Sequence, residues 1–331
     1  MKIKEIVGID VSKNTLDVCI HTKQLSGVFD NSSKGFASLN SWYSTHANFS
    51  IAQTLFVFEH TGLYSEALAD FLTREAIPYR MVSGLEIKRS MGLVRGKSDQ
   101  KDAVAIARYG FRRRDELQPQ TMPGISIKSL KKLLSLRERM VRQRAGYKAS
   151  LKEQKRILDA KQDKLLLDTQ SAAIACFDKL IADIEKELIS IIKADPKLDK
   201  TFELITGIKG VGTQTALFLI AYTDGFEKFD NARKFASYCG IAPFPNQSGI
   251  SIRGRTKVSH LANKKIKSLL DMCAKSAILA NTEMKLYYQK RIQQGKNKRS
   301  TINIIRNKLL SRIFAVVKRG TPYAEIKAYA A

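Results

Sequence analysis

The stretch from Val7 to Ile20, VGIDVSKNTLDVCI, decides how the rest of the chain is read. Ile6, Val7, Ile9, Val11, Leu16, Val18 and Ile20 mark two β-segments, and the polar Ser12-Lys13-Asn14 between them is a turn. Asp10 stands inside the first apolar run. A carboxylate cannot be buried there unpaired at low cost, so it calls for hydrogen bonds, a metal ion or a place at a strand end. Gly8 leaves room beside it. The plainer alternative is an aspartate that merely closes the turn.

Outward from this hairpin the pattern stays α/β as far as about Arg114. SKGFASLNSWYST suggests a short helix, and TLFVFEHTG gives an apolar strand over Leu55 to Phe58 that ends at Glu59. YSEALADFLTREAI has helical spacing in Leu68, Phe71 and Leu72, and YRMVS after Pro78 begins another strand. The order describes a mixed sheet covered by helices, with Asp10 and Glu59 at strand ends or edges, where open α/β sheets place their chemistry. In LVRGKSDQKDAVAIARYGFRRR, Asp99 and Asp102 are three apart, so a helix beginning near Ser98 puts both carboxylates on one face. Two like charges there are unfavourable unless a cation joins them or water solvates them. Read in isolation, the pair also suits a helix start, where acids cap and complement the dipole. Together, Asp10, Glu59, Asp99 and Asp102 form a four-carboxylate set suited to Mg²⁺, with Mn²⁺ as the alternative ion, and to phosphodiester cleavage. Arg89, Arg95, Lys97, Lys101 and Arg112 to Arg114 surround it as backbone-holding charge.

Charge supports that class of substrate. The 57 Lys and Arg outnumber the 31 Asp and Glu, for a formal charge of +26, and Ser251 to Ala331 alone holds 19 basic against 3 acidic residues. Such an excess favours nucleic acid or an acidic membrane surface as partner. No apolar run reaches the length of a membrane span, and the first residues lack a secretory pattern. Cys19, Cys176, Cys239 and Cys273 have neither zinc nor disulfide spacing and read as reduced, mostly buried thiols.

From Ile127 to about Asp195 the texture changes to long helices, with stripes at Leu130, Leu133, Leu134, Leu136 and Met140, and at Leu180, Ile181, Ile184, Leu188 and Ile191. These pack within the chain or form an arm that also joins subunits. Next, ELITGIKGVGTQTALFLIAYT is a helix end, a glycine turn and a second helix. The turn resembles that of a helix-hairpin-helix, whose amides and Lys209 contact phosphate; an ordinary connection between helices is the alternative. KFASYCGIAPFPNQSGISIRGRTKVS reads as a loop-rich stretch, followed by helices over roughly Leu261 to Leu279 and Ile302 to Val317. The basic loop between them, Gln289 to Ser300, carries Lys296, Lys298 and Arg299. Ser248 precedes Gly249, with Arg253, Arg255 and Lys257 close behind; a serine so placed is ordinarily a turn residue. His60 reads as a hydrogen-bonded structural histidine, with a base or ligand as the alternative, and His260 as surface or phosphate-facing; Tyr64 and Tyr79 read as packing residues, with stacking on bases as the alternative.

The words GIDVSKNTLDV, FEHTGLYSEAL, GKSDQKDAVAIA, ITGIKGVGTQTA and FASYCGIAPFPNQSG lie in order across nearly the whole chain. In them the sequence resembles the DEDD transposases of bacterial insertion sequences, which are related to Piv-type DNA invertases. The resemblance implies a RuvC-like, ribonuclease-H-type domain over residues 1–118, a helical coiled-coil-like arm over 119–200 and a mainly helical transposase domain over 201–331. It implies that Asp10, Glu59, Asp99 and Asp102 bind Mg²⁺, and that a serine of the C-terminal domain attacks a DNA phosphodiester. Ser248 matches that serine by position; Ser237 is the alternative, with Ser251 and Ser259 behind it. It further implies DNA as substrate, a structured noncoding guide RNA, a homo-oligomer of dimers assembling to a tetramer, and a place in the bacterial cytoplasm at the nucleoid, with no membrane. A structure-selective endonuclease of the Holliday-junction type, using the acids and water alone, is the rival enzyme. A nucleic-acid-binding architectural protein without catalysis is the rival from another class.

Overall fold

A computed structural model of the chain describes residues 2–90, 99–248 and 252–324, with the backbone alone at 246–248, 252, 253 and 255. The chain divides into two compact units, Met1–Met122 and Pro123–Ala331.

The first unit is built on a five-stranded sheet. The hairpin read from the sequence is β1 (Glu5–Val11) and β2 (Thr15–Ile20), with Val11 opposite Leu16 and Val7 opposite Ile20. Ser12 closes its turn by accepting from the Thr15 amide at 2.9 Å. The antiparallel run continues into β3 (Leu25–Asp30), a strand the apolar pattern did not announce because Ser26, Gly27 and Asp30 interrupt it. Helix α1 (Ser33–His46) follows, capped by Ser32. Strand β4 (Thr54–Glu59) then lies parallel to β1, helix α2 (Leu63–Arg74) crosses over, and β5 (Tyr79–Val82) lies parallel to β4. The order β3-β2-β1-β4-β5 is the ribonuclease-H-type, RuvC-like sheet expected. A short helix, α3 (Gly84–Ser90), and the longer α4 (Asp99–Arg112) complete the unit.

The strand period of two divides the sheet's side chains between its faces. Val7, Ile9 and Phe58 pack with Phe36, Leu39, Leu68 and Leu72 of α1 and α2. Ile6 and Val57 pack on the opposite face with Ile106 and Tyr109 of α4. Gly8 belongs to that second face. A Cβ placed on it would sit 2.7 Å from the Ala107 Cα and closer still to the Ala107 amide and the Ala103 carbonyl. One step back along β1, a Cβ on Gly110 would lie 2.8 Å from the Ile6 side chain. Helix α4 therefore runs antiparallel to β1 at near backbone contact, and its first turn lies toward the Asp10 end of the strand.

The second unit is mainly helical. Helices α5 (Ile125–Ile157) and α6 (Lys164–Ala194) are antiparallel neighbours, since Arg137 pairs with Glu185 and Arg144 with Asp178. Leu130, Leu134, Leu188 and Ile192 of this pair are buried in one core with the remaining helices, whereas Leu180 of the expected stripe is exposed. Helix α7 (Pro196–Thr206) ends at the glycine turn, and α8 (Thr213–Tyr222) follows with seven buried residues, apolar on all sides. The expected loop-rich stretch is instead helix α9 (Ala232–Tyr238) and a hairpin of β6 (Pro243–Ser248) and β7 (Ile252–Val258). Polar and proline-rich strands concealed the hairpin, because neither carries an alternating apolar face. Helices α10 (Lys264–Ala280), α11 (Thr282–Gln293) and α12 (Lys298–Arg319) finish the described chain. The expected basic loop is thus mostly helical: Gln289 to Gln293 end α11, and Lys298 to Ser300 open α12 under an Asn297 cap. Among the described residues no helix is long and apolar enough to cross a membrane.

Two glycines test this packing in opposite directions. Gly8→Val should destabilise the protein by about 2 to 3 kcal/mol, because α4 must move off the sheet. Gly146→Ala, on the exposed part of α5 where a Cβ meets nothing, should stabilise it by roughly 0.5 to 1 kcal/mol. Urea unfolding of each variant measures both.

Candidate functional site

Helix α4 delivers two carboxylates to the end of β1. Oxygens of Asp10, Asp99 and Asp102 all lie within 4.8 Å of one another. Asp10 and Asp102 are half-buried and Asp99 is exposed. Burial, then the negative charges of Asp102, Asp99, Asp17 and Glu59, push the Asp10 carboxyl up from 3.8 to about 6. Both causes act in one direction, favouring the protonated carboxyl. Three converging carboxylates, oxygen donors only, fit a hard divalent ion such as Mg²⁺ or Mn²⁺.

Glu59 ends β4 one residue beyond the Phe58 to Ile9 pair, level with Asp10 in the parallel register. It lies outside the three-carboxylate group, although its charge reaches Asp10. Its carboxyl group occupies the space where Gly84 has no side chain; a Cβ there would overlap the Glu59 oxygens. Gly84 thus leaves the glutamate its position beside the sheet end.

Asp17 is a neighbour that sequence reading missed. It stands directly opposite Asp10 across the hairpin, and its own pKa is raised by burial and by Asp99. Counting outward from the turn, Val11 to Leu16 and then Asp10 to Asp17, would have found it. At the other end of β1, Glu5 is fully buried but satisfied, accepting from the Thr22 amide at 3.2 Å and from the Thr22 hydroxyl. His60 is exposed, with Nδ1 accepting from the Gly62 amide at 3.2 Å, and Tyr79 is buried with its hydroxyl 3.0 Å from that of Thr73. Both hold structural positions. Of the basic residues expected around the acids, Lys101 lies on α4 and Arg95 and Lys97 fall outside the described residues. Arg113 is engaged with Glu86 at 2.5 Å and Glu116 at 2.7 Å, and the Arg114 guanidinium lies over the Phe111 ring.

In the second unit, Ser248 is the last residue of β6 and pairs with Ile252, so it occupies the tip of the hairpin; Ser251 falls outside the described residues. Arg253, Arg255 and Lys257 follow on β7. Ser237 is half-buried on α9 and lines a cleft of about 620 Å³ together with Arg233, Lys234 and Phe244. Lys209 is exposed on the glycine turn, where Gly210, at φ +96°, packs so near α10 that a Cβ on it would lie 2.7 Å from the Ala277 backbone. Ile208 and Val211 of the turn are buried, so it has a packing role as well. Lys296, Lys298 and Arg299 are exposed around the start of α12.

The chain matches two family models. The family described as Transposase IS116/IS110/IS902 matches residues 202–289, and an IS110-type DEDD transposase family, described as Transposase, matches residues 7–158. The pilin gene-inverting proteins of Moraxella lacunata and Moraxella bovis are each 29% identical over 330 residues, covering 97% of this chain and 98% of theirs. The transposase for insertion sequence element IS1111A of Coxiella burnetii is 22% identical over 364 residues, covering 98% of this chain and 92% of its own length.

The raised pKa of Asp10 makes a stability prediction. The folded state holds this proton more tightly than the unfolded chain does. Its contribution is therefore fully present below the ordinary 3.8 and is lost as pH rises through about 6. In EDTA, Asp10→Asn should flatten that part of the pH profile and raise Tm at pH 7.5 by about 2 °C or more. Mg²⁺ should raise the Tm of the unaltered protein and leave the variant nearly unchanged. Thermal melts across pH 4 to 8, with and without Mg²⁺, measure all three effects.

Proposed function

Because the chain belongs to the IS110-type DEDD transposases, a family of enzymes that rearrange DNA, we propose that it cuts and rejoins DNA at the ends of an insertion sequence by a serine mechanism. The observation that carries this reading is the convergence of Asp10, Asp99 and Asp102 at one end of a ribonuclease-H-type sheet. These three would hold Mg²⁺, or Mn²⁺, with Glu59 as the fourth acid. Bound there, the ion supplies Lewis-acid stabilisation to the charge that develops on phosphodiester oxygens.

Ser248 is the nucleophile of the proposal. Its hydroxyl oxygen attacks phosphorus and forms a phosphoserine ester as the bond from phosphorus to one deoxyribose oxygen breaks. The serine proton ends on that leaving oxygen. Rejoining reverses the step with a different deoxyribose hydroxyl, so the phosphodiester energy is conserved and no nucleotide cofactor is required. Arg253, Arg255 and Lys257, following on the same hairpin, hold the phosphate backbone beside the serine. Lys97, Lys101, Lys209, Lys296, Lys298 and Arg299 extend that electrostatic contact. Their contacts carry no base-specific information, and a structured noncoding RNA bound to the protein supplies sequence choice by base pairing. The working assembly is a homo-oligomer, dimers joining to a tetramer, that brings two duplexes together.

Denaturing electrophoresis of the protein incubated with labelled DNA flanking its gene, RNA transcribed from that DNA, and Mg²⁺ tests the mechanism. The unaltered protein should give a covalent protein-DNA band; Ser248→Ala and Asp10→Asn should abolish it, and Ser237→Ala should retain it. An adduct that survives Ser248→Ala but not Ser237→Ala reassigns the nucleophile. Cleavage without any adduct supports the structure-selective endonuclease, and binding without cleavage the architectural protein.

A further inference from the structure

The face of α4 turned away from the sheet has a charge pattern of its own. Lys101 and Arg108 are seven residues apart and Arg112 is four further on, so the three stand in one exposed row along the helix. They line a cleft of about 470 Å³ whose other side includes Ser26 of β3 and Ser90 at the end of α3. Asp102 lines the same cleft and is the only acid among its described lining residues. The cleft therefore opens at the carboxylate cluster and becomes cationic away from it.

The row is longer than the acids need. Arg108 lies about 9 Å and Arg112 about 15 Å beyond Asp102 along the helix axis, at 1.5 Å per residue. Exposed charges more than about 8 to 10 Å apart are largely screened at physiological salt, so Arg112 does little for the acid cluster. Among the described residues, Arg108 and Arg112 stand apart from the ion pairs that Arg113 makes with Glu86 and Glu116. Arg108 and Arg112 are about 6 Å apart along the axis, a spacing that lets the two side chains reach neighbouring phosphates of one strand.

We propose that this cleft is the path of the DNA strand being cut: Arg108 and Arg112 grip the phosphates next to the scissile one and feed that strand to the carboxylates. This rests on the acidic cluster being the cleavage site. It adds two positioning residues, a direction along α4 and a partner, the DNA strand rather than RNA. Arginine suits the task because its planar fork pairs with phosphate in two hydrogen bonds.

The test is equilibrium binding of fluorescent DNA flanking the gene, in Ca²⁺, from 50 to 300 mM KCl. Arg108→Gln/Arg112→Gln should weaken binding at least about tenfold at low salt and reduce the slope of log K against log salt by about 2, one per lost phosphate contact. Arg108→Lys/Arg112→Lys should restore most of the slope. Arg74→Gln, an exposed arginine ending α2 on the opposite face, should leave it unchanged. Unchanged slope in the double glutamine variant overturns the proposal, as does an equal loss in Arg74→Gln. A slope lost only for the flanking RNA transcript, and kept for DNA, also overturns it by assigning the cleft to RNA. Mn²⁺ titration keeps the two readings apart. Ion binding retained in the double variant is expected, whereas no Mn²⁺ binding by the unaltered protein would defeat the acidic-site reading itself.

Discussion

The first unit depends on one close approach, that of α4 to the backbone of β1 at Gly8. A helix and a strand ordinarily stand apart by the width of their side chains. Here Ala103 and Ala107 on the helix and Gly8 on the strand remove that width. Asp102 precedes Ala103 by one residue, and Asp10 follows Gly8 by two on the same face. The contact that seats the helix therefore also fixes the gap between the carboxylates. Burial and, after it, repulsion between like charges at that range push the Asp10 carboxyl up. The packing of Ile106, Tyr109 and Gly110 against Ile6 and Val57 supplies the opposing force. The acids are thus brought together by apolar contacts several ångströms away.

How much of this was legible follows from what each residue type must do. The hairpin, β4, α2 and β5 were readable because apolar periodicity and turn chemistry agree there. Asp10, Asp99 and Asp102 were conspicuous because carboxylates beside apolar runs need an explanation. Gly8 was noticed for a different reason, room beside Asp10, when its decisive role is to admit a helix from another part of the chain. That contact spans almost a hundred residues, and nothing local announces it. Strand β3 escaped because it lies at the sheet edge, where only one side needs apolar cover. Asp17 escaped because attention went to acids in conspicuous words, whereas its place follows only from pairing register.

The second unit shows the complementary case, in which a polar segment is ordered by its root. A two-stranded hairpin is marginal on its own, and β6 and β7 pair only with each other. Just before β6, the Ile241 carbonyl accepts from Asn303 at 2.9 Å and from Asn307 at 3.0 Å, both on α12. After β7, the Asn263 amide donates to the Tyr238 carbonyl at 2.9 Å. Gly240, at φ +65°, passes so close to Ala262 that a Cβ would overlap it. Both ends of the hairpin are thus tied to the core, and Ser248 pairs with Ile252 near its tip. Proline, asparagine, glutamine and glycine in this stretch read locally as loop, and only the anchoring asparagines some sixty residues later make a hairpin of it.

Charge and geometry divide the work of recognition. A chain with 57 basic and 31 acidic residues gains affinity for any nucleic acid, and lysine or arginine on phosphate gives position without sequence. The carboxylates impose a second condition. Converging carboxylates repel a phosphate unless a cation neutralises them. Positive charge is spread along the chain, whereas the converging carboxylates are confined to one end of the sheet. A surface whose charge acts on backbone phosphate does not by itself choose a sequence.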